Sequence, residues 1–303
     1  MSLLHEIGVG FAVALLAPQL LAALCGAMLG TLLGALDVVS APAAIALLLP
    51  AMARLDATES IVLLAAVWYG SRYGAAVAAI LLKAPADSVA AGTDGGQMAR
   101  QGRGHAALAS AWLGTCVAGG IGALVLAVLA LPLAEIAFRF GPAEYFSLIV
   151  LALVAAVAFS PGSFVKGVSM LLLGLLLAQA GTDAASSSVR FAFGLEPLAG
   201  GIGIVALAVG LLAVGEMIAR AGSVVVARDV IAGALHGERP RLDELREAWP
   251  SILRGSALGA MLGLLPGRGA SFAASAAYAI ERRVAVEPRV PFGRGAVQGV
   301  AGP

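Results

Sequence analysis

Two stretches of the chain combine glycine spacing, a helix break and polar groups in a pattern that suits the capture of a charged solute. Gly26-Ala-Met-Leu-Gly30-Thr-Leu-Leu-Gly34-Ala-Leu-Asp37-Val-Val-Ser40 lays over Gly255-Ser-Ala-Leu-Gly259-Ala-Met-Leu-Gly263-Leu-Leu-Pro266-Gly267-Arg268-Gly269 without a gap. Each copy has three glycines four residues apart, a break and a second apolar arm. Pro266 lacks an amide hydrogen and Gly267 and Gly269 admit non-helical backbone, so the second copy is expected to unwind there. A helix restarting near Ala270 and Ser271 would turn its free N–H groups and positive dipole end towards the unwound stretch, which suits an anion or a coordinated cation. Matched interruptions in two halves of a membrane chain point to a solute site near the bilayer midplane. The expected substrate- and ion-binding set is therefore Asp37, Ser40, Arg72, Pro266, Gly267, Gly269 and Ser271.

Several of these residues have a plainer reading beside the functional one. Asp37 either binds a coupling cation or proton or caps the arm that follows it. Arg72, a charge inside an apolar run, either meets a substrate carboxylate, snorkels, or pairs with an acid such as Asp37. The glycines Gly26, Gly30, Gly34, Gly255, Gly259 and Gly263 form smooth faces for close helix packing. Lys83 and Asp87 read as interface charges, Lys166 as an anchor, and Glu216 as the partner of Arg220 at i,i+4.

Other chemistry leaves no trace. Nucleophile–base pairs, paired catalytic carboxylates and phosphate loops are not seen, and His5, His105 and His236 fall in loops or termini, so the chain is not expected to be an enzyme. Cys25 and Cys116 lie within apolar runs and read as packing residues rather than as disulfide or metal ligands. No cofactor or metal is expected beyond a coupling ion, proton or sodium.

The elements that must position these residues are membrane helices. Of 303 residues 60% are hydrophobic and 12% charged, with a mean hydropathy of +0.96. Apolar runs recur at about the 20 residues that a helix needs to cross a hydrocarbon core of about 30 Å, and small residues, among them 39 glycines, favour a tight bundle. Ordinary spans are expected at about 8–24, 59–82, 106–132, 145–163, 165–182 and 198–219, with broken hairpins at 26–50 and 255–280. The N-terminus lacks a basic n-region and a small-residue cleavage site and is expected to remain as the first helix. A net charge of +1 gives no argument for a nucleic-acid partner.

Basic residues orient the scheme. Arg220, Arg228, Arg239, Arg241, Arg246 and Arg254 mark the stretch after the sixth span as cytoplasmic, and Arg100 and Arg103 do the same for the loop before Ala106. Four spans separate the two loops, as agreement requires. Leu242, Leu245 and Trp249 at helical spacing suggest either an interfacial helix or a soluble connector within that stretch. The first hairpin then opens outward and the second inward. The expected fold is an all-α polytopic transmembrane helix bundle with two re-entrant, inverted-repeat hairpins. Its parts are an N-terminal repeat (1–219), a cytoplasmic connector (220–254) and the start of a second repeat (255–303).

The chain resembles the large permease subunit family of tripartite tricarboxylate transporters. The residues that carry the likeness are Gly30-Thr-Leu-Leu-Gly34 with Ala43-Ala-Ile-Ala-Leu-Leu-Leu-Pro50, Trp68-Tyr-Gly-Ser-Arg-Tyr-Gly74 with Ala79-Ile-Leu-Leu82, Arg139-Phe-Gly-Pro-Ala-Glu-Tyr-Phe146, and Gly263-Leu-Leu-Pro-Gly-Arg-Gly-Ala270. The resemblance implies a permease of the bacterial inner membrane, driven by a proton or sodium gradient. It implies two partners, a small four-helix membrane subunit and a periplasmic solute-binding protein, and a carboxylate substrate. Asp37-Val-Val-Ser40 and Lys83-Ala-Pro-Ala86 depart from the family's glycine- and proline-rich pattern at those places. The chain is similar to the first three-fifths of a typical member, so a truncated or degenerate, non-transporting relative is the second expectation.

Overall fold

The computed structural model describes residues 3–36, 40–81, 89–158, 163–182, 188–221, 242–263, 269–285 and 290–303. Asp37, Lys83, Asp87, His236, Pro266 and Gly267 lie outside them, as do Arg228, Arg239 and Arg241. The architecture is an all-α helical membrane bundle, in which α2 (Ala17–Leu36), α4 (Ala57–Leu81) and α6 (Gly104–Phe138) each contain a stretch long and apolar enough to cross a membrane. A two-residue strand pair, Gly181–Thr182 with Val189–Arg190, interrupts the helical pattern.

The first helices divide differently from the hydropathy reading. The run expected to cross at 8–24 is shared between α1 (Leu3–Ala14) and the start of α2, and α2 continues through all three glycines of the first copy. After the break α3 (Ala41–Met52) begins at Ser40 with Pro42 in its first turn, where a missing N–H costs nothing. Asp56 precedes α4 and Glu59 stands three residues later, the spacing of a helix start.

α2 and α4 form the tightest pair in the structure, because side chains that would separate them are absent. A Cβ on Gly26, Gly30 or Gly34 would overlap the carbonyl oxygen of Leu63, Val67 or Ser71, and a Cβ on Gly70 or Gly74 would overlap that of Ala27 or Thr31. Residue numbers rise together on both sides, so the two helices run parallel. Carbonyl oxygens in the position of the missing Cβ suit Cα–H···O contacts, each contributing roughly 0.5–1 kcal/mol. The glycines lie in the first arm of the expected hairpin, which enters from the same side as the 59–82 run; what differs is that α2 already begins at Ala17, inside the run expected to cross the other way at 8–24. The return passes through α3.

A sharp turn joins α5 (Val89–Arg100) to α6. Gly102, at a φ of 76°, donates to the Ala99 carbonyl while Arg103 donates to that of Met98, a glycine-terminated helix end. α7 (Pro142–Ala158) and α8 (Phe164–Ala178) follow with no buried residue in either. The short α9 (Glu196–Ala199) precedes α10 (Ile204–Ala208), a π-helical stretch (Val209–Val214) and α11 (Gly215–Ala221), which form one continuous rod. Cys25 and Cys116 are both free and exposed, so neither is the buried packing thiol expected of it.

The boundary expected at residue 254 falls inside a helix. α12 (Leu242–Leu262) runs unbroken from the expected connector into the second glycine segment, and Leu242, Leu245 and Trp249 belong to it. α13 (Gly269–Val284) and the short α14 (Gln298–Ala301) complete the chain. α12, α13 and α14 gather with α5 and the beginning of α6 around Ile80, Met98, Ala107, Ala248, Ile252 and Val300.

Candidate functional site

The first break holds its polar groups by a contact from far along the chain. The Ser40 N–H lies 3.0 and 3.1 Å from the two carboxylate oxygens of Glu216, and the Ser40 hydroxyl donates to Glu216 Oε2. Ser40 is extended, with φ −66° and ψ 158°, and its own hydroxyl does not cap α3. The negative charge therefore comes from α11, placed where the first-turn N–H groups and dipole of α3 favour it. Ala43, Ala44, Val67 and Ala213 pack beside the contact in a small apolar cluster. Sequence spacing gave Glu216 a local reading with Arg220, whose side chain lies outside those described; the fold also brings its carboxylate to Ser40, 176 residues away.

Arg72 stands one residue beyond Ser71, whose carbonyl faces Gly34, so the two helices place it at the height of the end of α2. Its guanidinium lies 5.0 Å from the Trp68 ring centre, one turn earlier on the exposed side of α4. A cation over an indole face offsets part of the cost of a charge within a span.

At the second copy the helix stops at Leu262 and restarts at Gly269, with Ser271 in the first turn of α13. Pro266 and Gly267 fall in the gap, outside the described residues. The second glycine face is used unequally. A Cβ on Gly255 would overlap the Gly302 carbonyl, a Cβ on Gly263 would come within 2.6 Å of the Gly259 carbonyl of its own helix, and one on Gly259 would meet no described atom within 4 Å. α2 and α3 pack with α4 and the α10–α11 rod, whereas α12 and α13 pack on one another and with α5, α6 and α14. The helices that flank the two breaks thus belong to separate groups joined through α4, α5 and α6.

The second group contains two buried carboxylates that sequence reasoning passed over. Asp94, fully buried on α5, accepts from the N–H groups of Gly293, Gly295 and Ala296 at 2.8, 2.8 and 3.0 Å on Oδ1 and from the Tyr278 hydroxyl at 2.9 Å on Oδ2. Gly293 and Gly295 have φ of 83° and 106°, the left-handed backbone that lets successive amides converge on one oxygen. Glu281, 1% exposed, accepts the Ser251 hydroxyl at 2.7 Å and two nitrogens of Arg254 at 2.6 and 2.9 Å. Arg103 pairs with Glu244, and the Gln298 amide donates to Glu247 at 2.6 Å. The one local signal at Asp94 is the Gly95-Gly96 pair that follows it, and at Glu281 there is none. Among the described residues no three His, Cys, Asp or Glu side chains gather as a metal-binding group.

Residues 20–303 match the family model described as the tripartite tricarboxylate transporter TctA family. An Agrobacterium vitis protein, described as an uncharacterized 52.8 kDa protein in the TAR-I ttuC′ 3′ region, is 39% identical over 305 residues, which take in all of this chain and 60% of that relative. The chain thus spans about three-fifths of the length of the curated relative it matches. No solved structure matches it.

Proposed function

Since the chain belongs to the tripartite tricarboxylate transporter TctA family, a family of membrane transporters, we propose that it is a permease component that moves carboxylates across a bacterial inner membrane. It works without catalytic chemistry of its own, on a proton or sodium gradient, and with the small four-helix subunit and periplasmic binding protein that the resemblance implies. Its carboxylate passes the first break, at Ser40.

The observation that supports this reading is the Glu216 carboxylate held by the N–H and hydroxyl of Ser40 at the head of α3. The same donors, oriented the same way, are what a substrate carboxylate needs. Arg72 at the height of the end of α2 adds a positive charge on that level of the bundle.

The test is uptake of labelled di- and tricarboxylates into membrane vesicles carrying the chain and its two partner subunits, with and without an imposed proton or sodium gradient. Gradient-dependent accumulation above vesicles lacking the chain supports the reading. Uptake at the background level under every gradient counts against it and favours the non-transporting relative.

A further inference from the structure

The rod from Ile204 to Ala221 is not uniform. Its π-helical stretch covers Val209–Val214, and the Gly215 N–H donates to the Gly210 carbonyl five residues back. Such a turn holds one residue more than an α-turn, is rare, and occurs mostly as a single bulge inside an α-helix, frequently at functional sites. Glu216 is the second residue after it.

We propose that the π-turn and Glu216 form one two-state switch that acts on the first break. In the π register the Glu216 carboxylate reaches Ser40 and caps α3. When the turn reverts to α-helix, every residue after it rotates by about 100° and shifts by about 1.5 Å along the axis, and the carboxylate leaves Ser40. The charge-assisted bonds to Ser40 hold the rarer register in place.

The surroundings permit this movement on one side and forbid it on the other. α3 meets the rod at the small side chains Ala43, Ala44 and Ala213, with Ile45 and Leu48 of α3 packed against that cluster. An added Cβ would meet no described atom within 4 Å at Gly210, and at Gly215 only the Gly210 carbonyl at 3.7 Å. Across the bundle, carbonyls of α4 occupy the Cβ positions of α2, so that pair has no room to slide and serves as the fixed frame. The switch stands on contacts of the chain itself and does not require the transport reading.

The experiment uses the full chain in lipid nanodiscs with Cys25 and Cys116 replaced by alanine. Spin labels at Leu47 on α3 and Ile218 on α11, 39% and 69% exposed, report the distance across the switch, and labels at Leu29 and Ile61 report the fixed frame. Glu216→Gln is expected to add a second Leu47–Ile218 distance, comparable in population and displaced by roughly the helix radius of about 5–6 Å, while the Leu29–Ile61 distance stays. Deleting Leu211 removes the extra residue, so the α register itself brings residue 216 to Ser40; this variant is expected to show the single original distance, with or without Glu216→Gln. An unchanged Leu47–Ile218 distance in Glu216→Gln overturns the proposal. So does a second distance that survives deletion of Leu211. Should Glu216→Gln lose the frame distance, the deletion variant with native Glu216 decides alone: a distribution no broader than that of the parent supports the switch, and a broader one overturns it.

Discussion

Gly30 on α2 and Val67 on α4 meet backbone to backbone, with the Val67 carbonyl oxygen where a side chain on Gly30 would begin. The rung recurs one turn earlier at Gly26 and Leu63 and one turn later at Gly34 and Ser71. In lipid, where tails are as apolar as the side chains, this fit rather than water exclusion holds the helices.

Replacing Gly30 by leucine should therefore part α2 from α4 and lower stability by about 1–3 kcal/mol or more. Gly120→Leu on α6, where an added Cβ meets nothing within 4 Å, should change little. Unfolding in mixed detergent followed by circular dichroism compares the two; equal losses would count against the clasp.

The parallel course of α2 and α4 places their N-terminal ends on one side of the membrane. Cysteines introduced at Leu16 and Leu55, in a background lacking Cys25 and Cys116, should react with an impermeant maleimide from the same side. Labelling from opposite sides would refute the parallel pair.

Asp94→Ala strands the buried N–H groups of Gly295 and Ala296, at about 1–3 kcal/mol for each left unsatisfied, while the Gly293 N–H and the Tyr278 hydroxyl lie nearer the surface. Asp94→Asn keeps an accepting oxygen and should lose clearly less. Midpoints of thermal unfolding in detergent rank the two, and the reverse order would show that charge rather than acceptor geometry matters there.

Arg254→Met leaves Glu281 buried without its cation, while Glu281→Gln removes the charge and keeps one accepting oxygen of the two that take bonds from Ser251 and Arg254. The Arg254 side chain is 39% exposed, so solvent screening reduces the loss below that of a fully buried pair. A double-mutant cycle should return a coupling of roughly 1–2 kcal/mol. Additive losses would mean that the pair contributes no more than its separate members.

The helices, and the glycine faces that could pack, were legible because both depend on residues three or four apart. The choice of partner was not. Nothing near Gly30 names Val67, and the hydropathy run at 8–24 blends the end of α1 with the beginning of α2. Residue 254 reads as a boundary because charge stops and apolarity starts there, yet α12 continues, since helix hydrogen bonding is indifferent to which side chains face water. Asp94 and Glu216 escaped for a related reason: each is satisfied by groups some 200 residues away or nearly so, and pairing at that range leaves no periodicity to read.

The Asp94 cradle also has a consequence in time. Its three amides belong to residues 199 to 202 positions further on, so the carboxylate is made long before its donors. At synthesis rates of roughly 5–20 residues per second it waits on the order of 10–40 s, already attached to helices entering the bilayer. During that interval the α5 segment has to keep Asp94 in contact with water, at the membrane edge or in a wet vestibule. Burial of this carboxylate thus belongs to the last steps of assembly, when Gly293, Gly295 and Ala296 arrive.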